Sequence, residues 1–347
     1  MPLSAVLGQP RAMDTLRAAL RGGSVHHAYL FGGPDGVGKE LAAVGFAQAL
    51  LCGAKRAGSQ GPDACGTCDT CRRVEHRNHP DVTWVMPESE LVGRGFAGRS
   101  DFDHTPSRDI RVEQVRALQE RLALRALESP KKVAVLVEAQ AMNTQAQNAF
   151  LKTLEEPPAD TVLLLVASAP DKLLPTIRSR TSKVHFGPLP VRLLTERVKE
   201  ARQVDDATAA LVALMSAGSL SRALALDVAG LARRREVIER FEALQPADAR
   251  GWLRFAEDFG GSRDEAEDAL RVLALWLRDL AAVRSGAQDI ANRDLLELAR
   301  SGAQKAGEAA LHRRLWLADQ AHNAVTSRNG SPRLQLERML IEMLTLL

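Results

Sequence analysis

Ala28-Tyr29-Leu30-Phe31-Gly32-Gly33-Pro34-Asp35-Gly36-Val37-Gly38-Lys39-Glu40 is the stretch on which the fold turns. An apolar strand over residues 28–31 enters a Gly-rich turn, and a helix with an apolar face follows over 40–51. In that context backbone N–H groups and a helix N-terminus face an anion, and a lysine neutralises it. Gly33, Gly38 and Lys39 fit G-x4-G-K, with Gly36 inside the turn. The next position calls for Ser or Thr, whose hydroxyl binds Mg²⁺. Glu40 stands there instead. Its carboxylate puts negative charge where a triphosphate belongs, unless it turns away or captures the metal itself.

Outward from this loop, residues 82–86, 132–137 and 161–167 are Val- and Leu-rich runs of the kind that form buried parallel strands, and 184–186 is a shorter one. A helix over about 144–156 separates the runs 132–137 and 161–167 and stops at Pro157-Pro158. Strand and helix alternating in this way predict a parallel sheet covered by helices. The strand over 132–137 ends in a single acid, Glu138, and Val137 stands where a metal-binding aspartate would be. Two separate losses of magnesium handling therefore point to a loop without turnover, and nucleotide held weakly stays open. After Pro188 and Pro190 no strand of comparable strength follows: residues 192–201, 206–215 and 219–228 read as three helices, and the chain is helical from about 233. The segment 90–107 is polar and Gly-rich, which predicts a mobile surface loop.

The four cysteines, Cys52, Cys65, Cys68 and Cys71, are spaced C-x12-C-x2-C-x2-C. Two overlapping CxxC steps aim several thiolates at one point, as tetrahedral Zn²⁺ requires. His76 and His79 follow closely and could replace one cysteine, although four sulfurs already close a structural site. With no 18-residue apolar run and no signal-peptide pattern at the start, the chain is expected in a reducing cytoplasm, where clustered thiols bind metal rather than form disulfides.

Bulk composition sets the outer limits. A chain of 347 residues exceeds one core and suits two or three domains. With 46 Lys and Arg against 43 Asp and Glu it is nearly neutral, and only 4% of residues are aromatic. Autonomous nucleic-acid binding by charge or base stacking is disfavoured on both counts. Glu155 and Glu156 end a helix with no His or nucleophile nearby in sequence, so hydrolytic acid/base chemistry is disfavoured there too. Lys131-Lys132 and Arg233-Arg234-Arg235 read as solvated ends of elements, and the apolar spacing of Leu334, Leu336, Met339, Leu340 and Met343 reads as core.

Several motifs in this order resemble the bacterial clamp-loader AAA+ subunits of DNA polymerase III. They are residues 27–31 (HAYLF), the phosphate loop, the cysteine module after its helix, residues 148–158 (NAFLKTLEEPP), residues 174–180 (LPTIRSR) and residues 218–224 (GSLSRAL). The resemblance is specific over about the first 225 residues. It implies an AAA+ P-loop module over 1–187 with a zinc knuckle at about 52–80, a small helical lid over 188–232, and a helical collar over 233–347. Two subunit types share this plan, the gamma/tau ATPase and a non-hydrolysing type. The ATPase type needs Ser or Thr at 40, aspartate at 137 and an arginine at about 221. Glu40, Val137 and Ser221, with Arg222 one place late, resemble the non-hydrolysing type. That resemblance implies partnership with gamma/tau and delta in a ring that loads the beta sliding clamp on primed DNA, at a cytoplasmic replisome associated with the nucleoid. It implies membership of the DNA polymerase holoenzyme without ATPase activity of the chain's own. In the family a Ser-Arg-Cys element carries an arginine finger that serves a neighbour's ATP. Ser179-Arg180-Thr181 keeps the arginine without the cysteine, so Arg180 is the expected finger and Arg178 the fallback. A gamma/tau-like active ATPase and a zinc-dependent DNA-binding module are the alternatives.

Overall fold

A computed structural model describes residues 1–54, 56–58, 61–287, 290–327 and 330–344. The knuckle expected over 52–80 and the helix expected to reach 347 each include a few residues outside this set. Five strands form one parallel sheet: β1 (Ala28–Gly32), β4 (Val82–Val85), β5 (Lys132–Leu136), β6 (Thr161–Ala167) and β7 (Ser182–His185), in the order β4-β5-β6-β1-β7. β2 (Arg56–Gly58) and β3 (Gly61–Asp63) pair separately as an antiparallel hairpin. β1, β5 and β6 are buried along their whole length, so alternation gives way to continuous apolar runs.

The helices that pack around this sheet are α1 (Pro10–Gly22), α2 (Lys39–Leu51), α3 (Asp69–Glu75), α4 (Glu88–Gly93), α5 (Val112–Ala123), α6 (Thr144–Glu155) and α7 (Pro175–Ser179). α1 opens on a proline and ends at Gly23, which takes the left-handed conformation a helix C-terminus favours. Phe150 and Leu154 of α6 join Leu118 and Leu122 of α5 and the inner residues of β5 and β6 in one core. The 90–107 segment departs from its expected form. It carries α4 and a short 3-10 turn at Arg99–Asp101, held by polar groups: Glu88 accepts from Ser107 N–H at 2.8 Å and lies 2.9 Å from His104 Nε2, while Ser89 N–H bonds Ser107 O at 3.0 Å. Apolar periodicity could not reveal a segment ordered by hydrogen bonds.

The remaining helices are α8 (Val191–Arg202), α9 (Asp206–Met215), α10 (Leu220–Ala225), α11 (Val228–Glu242), α12 (Ala249–Phe259), α13 (Arg263–Arg284), α14 (Leu296–Lys305), α15 (Glu308–Ser327) and α16 (Pro332–Leu344). The helix expected over 219–228 is in fact broken. Asp227 takes extended backbone and accepts from Gly230 N–H at 2.8 Å, so its carboxylate caps a new helix rather than continuing the old one. Compactness divides the chain into two units, one of Met1–Pro190 with Gly218–Ser221, the other of Val191–Ala217 with Arg222–Leu347. The second unit has its own core, centred on Trp276, Leu273, Leu277 and Leu280 of α13 with Phe255 and Phe259 of α12 and Leu336 and Leu340 of α16.

Candidate functional site

A parallel sheet places all strand C-termini on one edge. Three elements meet there: the phosphate loop after β1, Glu138 after β5 and Ser168 after β6. Gly33, Gly36 and Gly38 take φ of +151°, +71° and +99°, left-handed backbone suited to glycine. Close packing reinforces two of these choices. A Cβ on Gly33 would stand 2.0 Å from Phe186 O, and one on Gly36 would stand 2.1 Å from Ser221 Oγ and 2.2 Å from Ser219 Oγ. Leu220 N–H also bonds Gly36 O at 2.9 Å, so residues 218–221 cover the loop.

Lys39 is buried and turned inward. Its Nζ donates to Pro34 O at 2.5 Å and lies 3.5 Å from Asp35 Oδ1. Burial holds its pKa below the usual lysine value, against the pull of Asp35 and Glu138. Glu138 sits in left-handed backbone at φ +55°. Burial and the nearby Asp35 charge raise its carboxyl. Gln140 donates to it, Ser168 Oγ lies 3.5 Å away, and Gln140 Nε2 also reaches Ser168 Oγ at 2.7 Å. Val137 is buried, with its N–H on Val85 O at 2.8 Å, and offers no ligand to a metal.

Glu40 is enclosed by cations that the sequence reading did not find. Arg77 donates to its Oε1, and Arg94 Nη1 donates to both oxygens, at 3.0 and 2.8 Å. Arg94 Nε is also 2.8 Å from Glu90 Oε2. The Arg77 guanidinium lies 4.7 Å from the Trp84 ring centroid and 4.4 Å from that of Phe96. The carboxylate at the magnesium position is thus consumed in a partly buried ion cluster. An unpaired acid at 40 was the only sequence signal that cations must come from elsewhere.

The four cysteines converge as their spacing predicts. Cys52 follows α2, Cys65 and Cys68 lie in the loop after β3, and Cys71 is in the first turn of α3. Their Sγ atoms all lie within 4.8 Å of one another, with 3.8 Å from Cys52 to Cys68 and from Cys65 to Cys71. Sulfurs held tetrahedrally at about 2.3 Å from Zn²⁺ stand about 3.8 Å apart, so the set fits a closed four-sulfur site. N–H groups of Thr67 and Cys68 draw the Cys65 thiol down to about 5, whereas burial pushes those of Cys52 and Cys71 up. His79 is outside the cluster: its Nδ1 accepts from Asp81 N–H at 3.2 Å.

Arg180 lies at the opposite, N-terminal edge of the sheet, between α7 and β7. It is 39% exposed; Nη2 is 2.8 Å from Glu155 Oε1 and Nη1 donates to Thr176 O at 3.2 Å. Glu155, Arg180, His26, His27 and Ser182 border one shallow pocket. Arg178 is bound to Asp171 at 2.7 Å. Five residues of β1 at about 3.3 Å each separate the two edges by about 17 Å, so Arg180 does not reach this chain's own phosphate loop.

Among known proteins, the family described as DNA polymerase III, delta subunit, matches residues 8–190. The DNA polymerase III subunit delta′ of Bacillus subtilis is 32% identical over 287 residues, covering 81% of this chain and 79% of that protein. Its counterpart in Escherichia coli K12 is 31% identical over 284 residues, 81% of this chain and 78% of that one. The subunit gamma/tau of Mycobacterium tuberculosis H37Rv is 34% identical over 221 residues, 62% of this chain but 34% of that protein.

Proposed function

We propose a function from one premise: this chain belongs to the DNA polymerase III delta-subunit family. Within that family its likeness is to delta prime, the clamp-loader subunit, and the role proposed is that of a non-hydrolysing member that lends Arg180 to a neighbouring ATPase. It assembles with gamma/tau and delta, and through that complex it helps place the beta sliding clamp on primed DNA. The four cysteines hold a structural Zn²⁺.

The observation that carries the non-hydrolysing reading is the enclosure of Glu40. Hydrolysis of a nucleoside triphosphate needs Mg²⁺ bridging its terminal phosphates, and a hydroxyl and an aspartate that hold the metal. Here the first position is a carboxylate already neutralised by Arg77 and Arg94, and the second is the buried Val137. The Gly-rich turn still leads into the N-terminus of α2, the kind of place that attracts an anion, and this supports weak nucleotide binding without turnover.

Two features support Arg180 as the donated residue. Its place on the far edge of the sheet keeps it from its own loop, so any phosphate it serves belongs to another chain. Its partner, Glu155, is half exposed, and an ion pair of that kind contributes at most about 1 kcal/mol. A phosphoryl group developing charge in a dry intersubunit site competes readily with it. In well-studied cases a trans arginine is worth about 10³–10⁵ in rate.

The test is DNA- and clamp-stimulated ATP hydrolysis by a reconstituted loader containing either the wild-type chain or Arg180→Ala, with the chain alone as a third sample. The expected result is no turnover by the chain alone, and normal assembly with at least a tenfold loss of rate for the variant. A variant complex that hydrolyses ATP at the wild-type rate removes Arg180 from the role. Lys39-dependent turnover by the isolated chain removes the non-hydrolysing reading.

A further inference from the structure

The cysteine cluster and the phosphate loop lie at opposite ends of α2, yet a second connection joins them. Asp63, at the end of β3 and two residues before Cys65, is buried. Its Oδ1 accepts from Leu3 N–H at 2.9 Å and Ala64 N–H at 2.8 Å, and its Oδ2 accepts from Ser4 N–H at 2.9 Å. A carboxylate accepting three backbone N–H groups is a strong, directional anchor. It fixes the start of the 3-10 turn Leu3–Ala5.

The anchored segment then runs along α2 to the loop. Leu3 is fully buried, and its N–H group comes so near that a Cβ on Gly45 would stand 2.9 Å from the nitrogen. On the metal side, Gly66 at φ +71° keeps Pro2 Cδ 3.2 Å from where its own Cβ would be. Val6 is buried, with Cγ1 3.5 Å from the Cβ position of Gly38. Gln9, also buried, ends the path: Nε2 donates to Val37 O at 3.3 Å and to Gly187 O at 2.7 Å, while Oε1 accepts from Gly187 N–H at 3.1 Å.

We infer that Asp63 is a positioning residue through which the metal-bound cysteine module holds residues 2–9 in place, and through them the phosphate loop. The order of dependence is cysteine cluster, Asp63, the 3-10 turn, then Val6 and Gln9 on the loop. The hairpin that carries Asp63 has two three-residue strands, and among the described residues the apolar cluster beside it is small and centred on the cysteines. Its geometry therefore depends on the metal. Metal occupancy sets the order of a loop that is joined to the cysteine module through α2, through this segment, and through Arg77, which follows α3 and donates to Glu40.

Hydrogen–deuterium exchange on the full chain tests this, using protein loaded with one equivalent of Zn²⁺, the same protein after chelation, and Asp63→Asn with zinc retained. An Asn oxygen accepts where one carboxylate oxygen did, and its NH₂ faces the N–H it replaces a partner for, so at least one charge-assisted bond is lost. The expected result is exchange faster by about tenfold or more over residues 1–9 and 33–40, both on chelation and in Asp63→Asn, with a clearly smaller loss of protection in β5 and β6. Three outcomes overturn the inference: no change in 1–9 on chelation, wild-type protection in Asp63→Asn, or equal loss of protection in β5 and β6, which makes the metal a ligand of the whole unit. A chain that binds no zinc at micromolar concentration overturns it as well. None of these readouts depends on ATP hydrolysis, so they stand apart from the test of Arg180.

Discussion

At the scale of single residues, Glu40 makes the opposite use of a position that magnesium chemistry needs. Two guanidinium groups stand around it, one of them stacked between Trp84 and Phe96. Removing the carboxylate leaves both cations facing each other, with Glu90 on Arg94 the remaining counter-charge described. Glu40→Thr, which restores the residue type a hydrolysing loop carries, is therefore expected to lower stability by about 1–3 kcal/mol, a downward shift of a few degrees in thermal melting. It is also expected to leave the chain without ATPase activity, because Val137 still offers no metal ligand. A melting temperature equal to wild type refutes the structural part, and turnover refutes the chemical part. The sequence made Glu40 and Val137 conspicuous because a fixed spacing from Gly33 and Lys39 defines what belongs there. It did not disclose Arg77 and Arg94, which lie 37 and 54 positions away and reach Glu40 only through the folding of α3 and α4 around α2. Cys52, Cys65, Cys68 and Cys71 were legible for the converse reason: their spacing alone brings them together.

Among elements, those with a continuous apolar signal were readable and those ordered by polar groups were not. Residues 161–167 were expected as a strand and form β6 with those bounds. The loop after α5 shows the other case. Asp81, buried ahead of β4, accepts from the N–H groups of Leu127, Glu128 and Ser129 at 2.6, 2.9 and 2.8 Å. Burial alone would raise its carboxyl, but these donors and the neighbouring His79 outweigh it and hold the pKa below the ordinary aspartate value. A carboxyl depressed in the folded state contributes stability that is fully present above the unfolded value of about 3.9 and is lost as pH falls through the lower folded value. Asp81→Asn is expected to lose about 2 kcal/mol at pH 7 and to show a shallower decline as pH falls below about 4. Urea titrations at a series of pH values check this, and parallel curves for the two proteins would contradict it. α1 illustrates a signal present but unread: Pro10 at its first position and Gly23 after its end mark both boundaries.

For the whole molecule, alternation of strand and helix established a parallel sheet, but not the order β4-β5-β6-β1-β7. Strand order comes from which crossover each helix makes, and periodicity carries no information about that. The order still bears on the function proposed: parallel direction sets the phosphate loop and Arg180 on opposite edges of one sheet, and the order puts them at the adjacent strands β1 and β7. The division into two units, each with a separate apolar core, has its own thermodynamic consequence. All four cysteines lie in the first unit, and metal binding energy there is folding energy of that unit alone. Calorimetry of the zinc-loaded chain is expected to resolve two transitions rather than one. Chelation is expected to lower the first-unit transition by several degrees and leave the other where it was. Tryptophans assign them: Trp84 lies on β4 of the first unit, and Trp276 is fully buried in the core of the second. A single-Trp variant retaining Trp84 should follow the zinc-sensitive transition, and one retaining Trp276 the insensitive one. A single cooperative transition that chelation moves as a whole would mean that the two cores fold as one, and the zinc would then stabilise the entire chain.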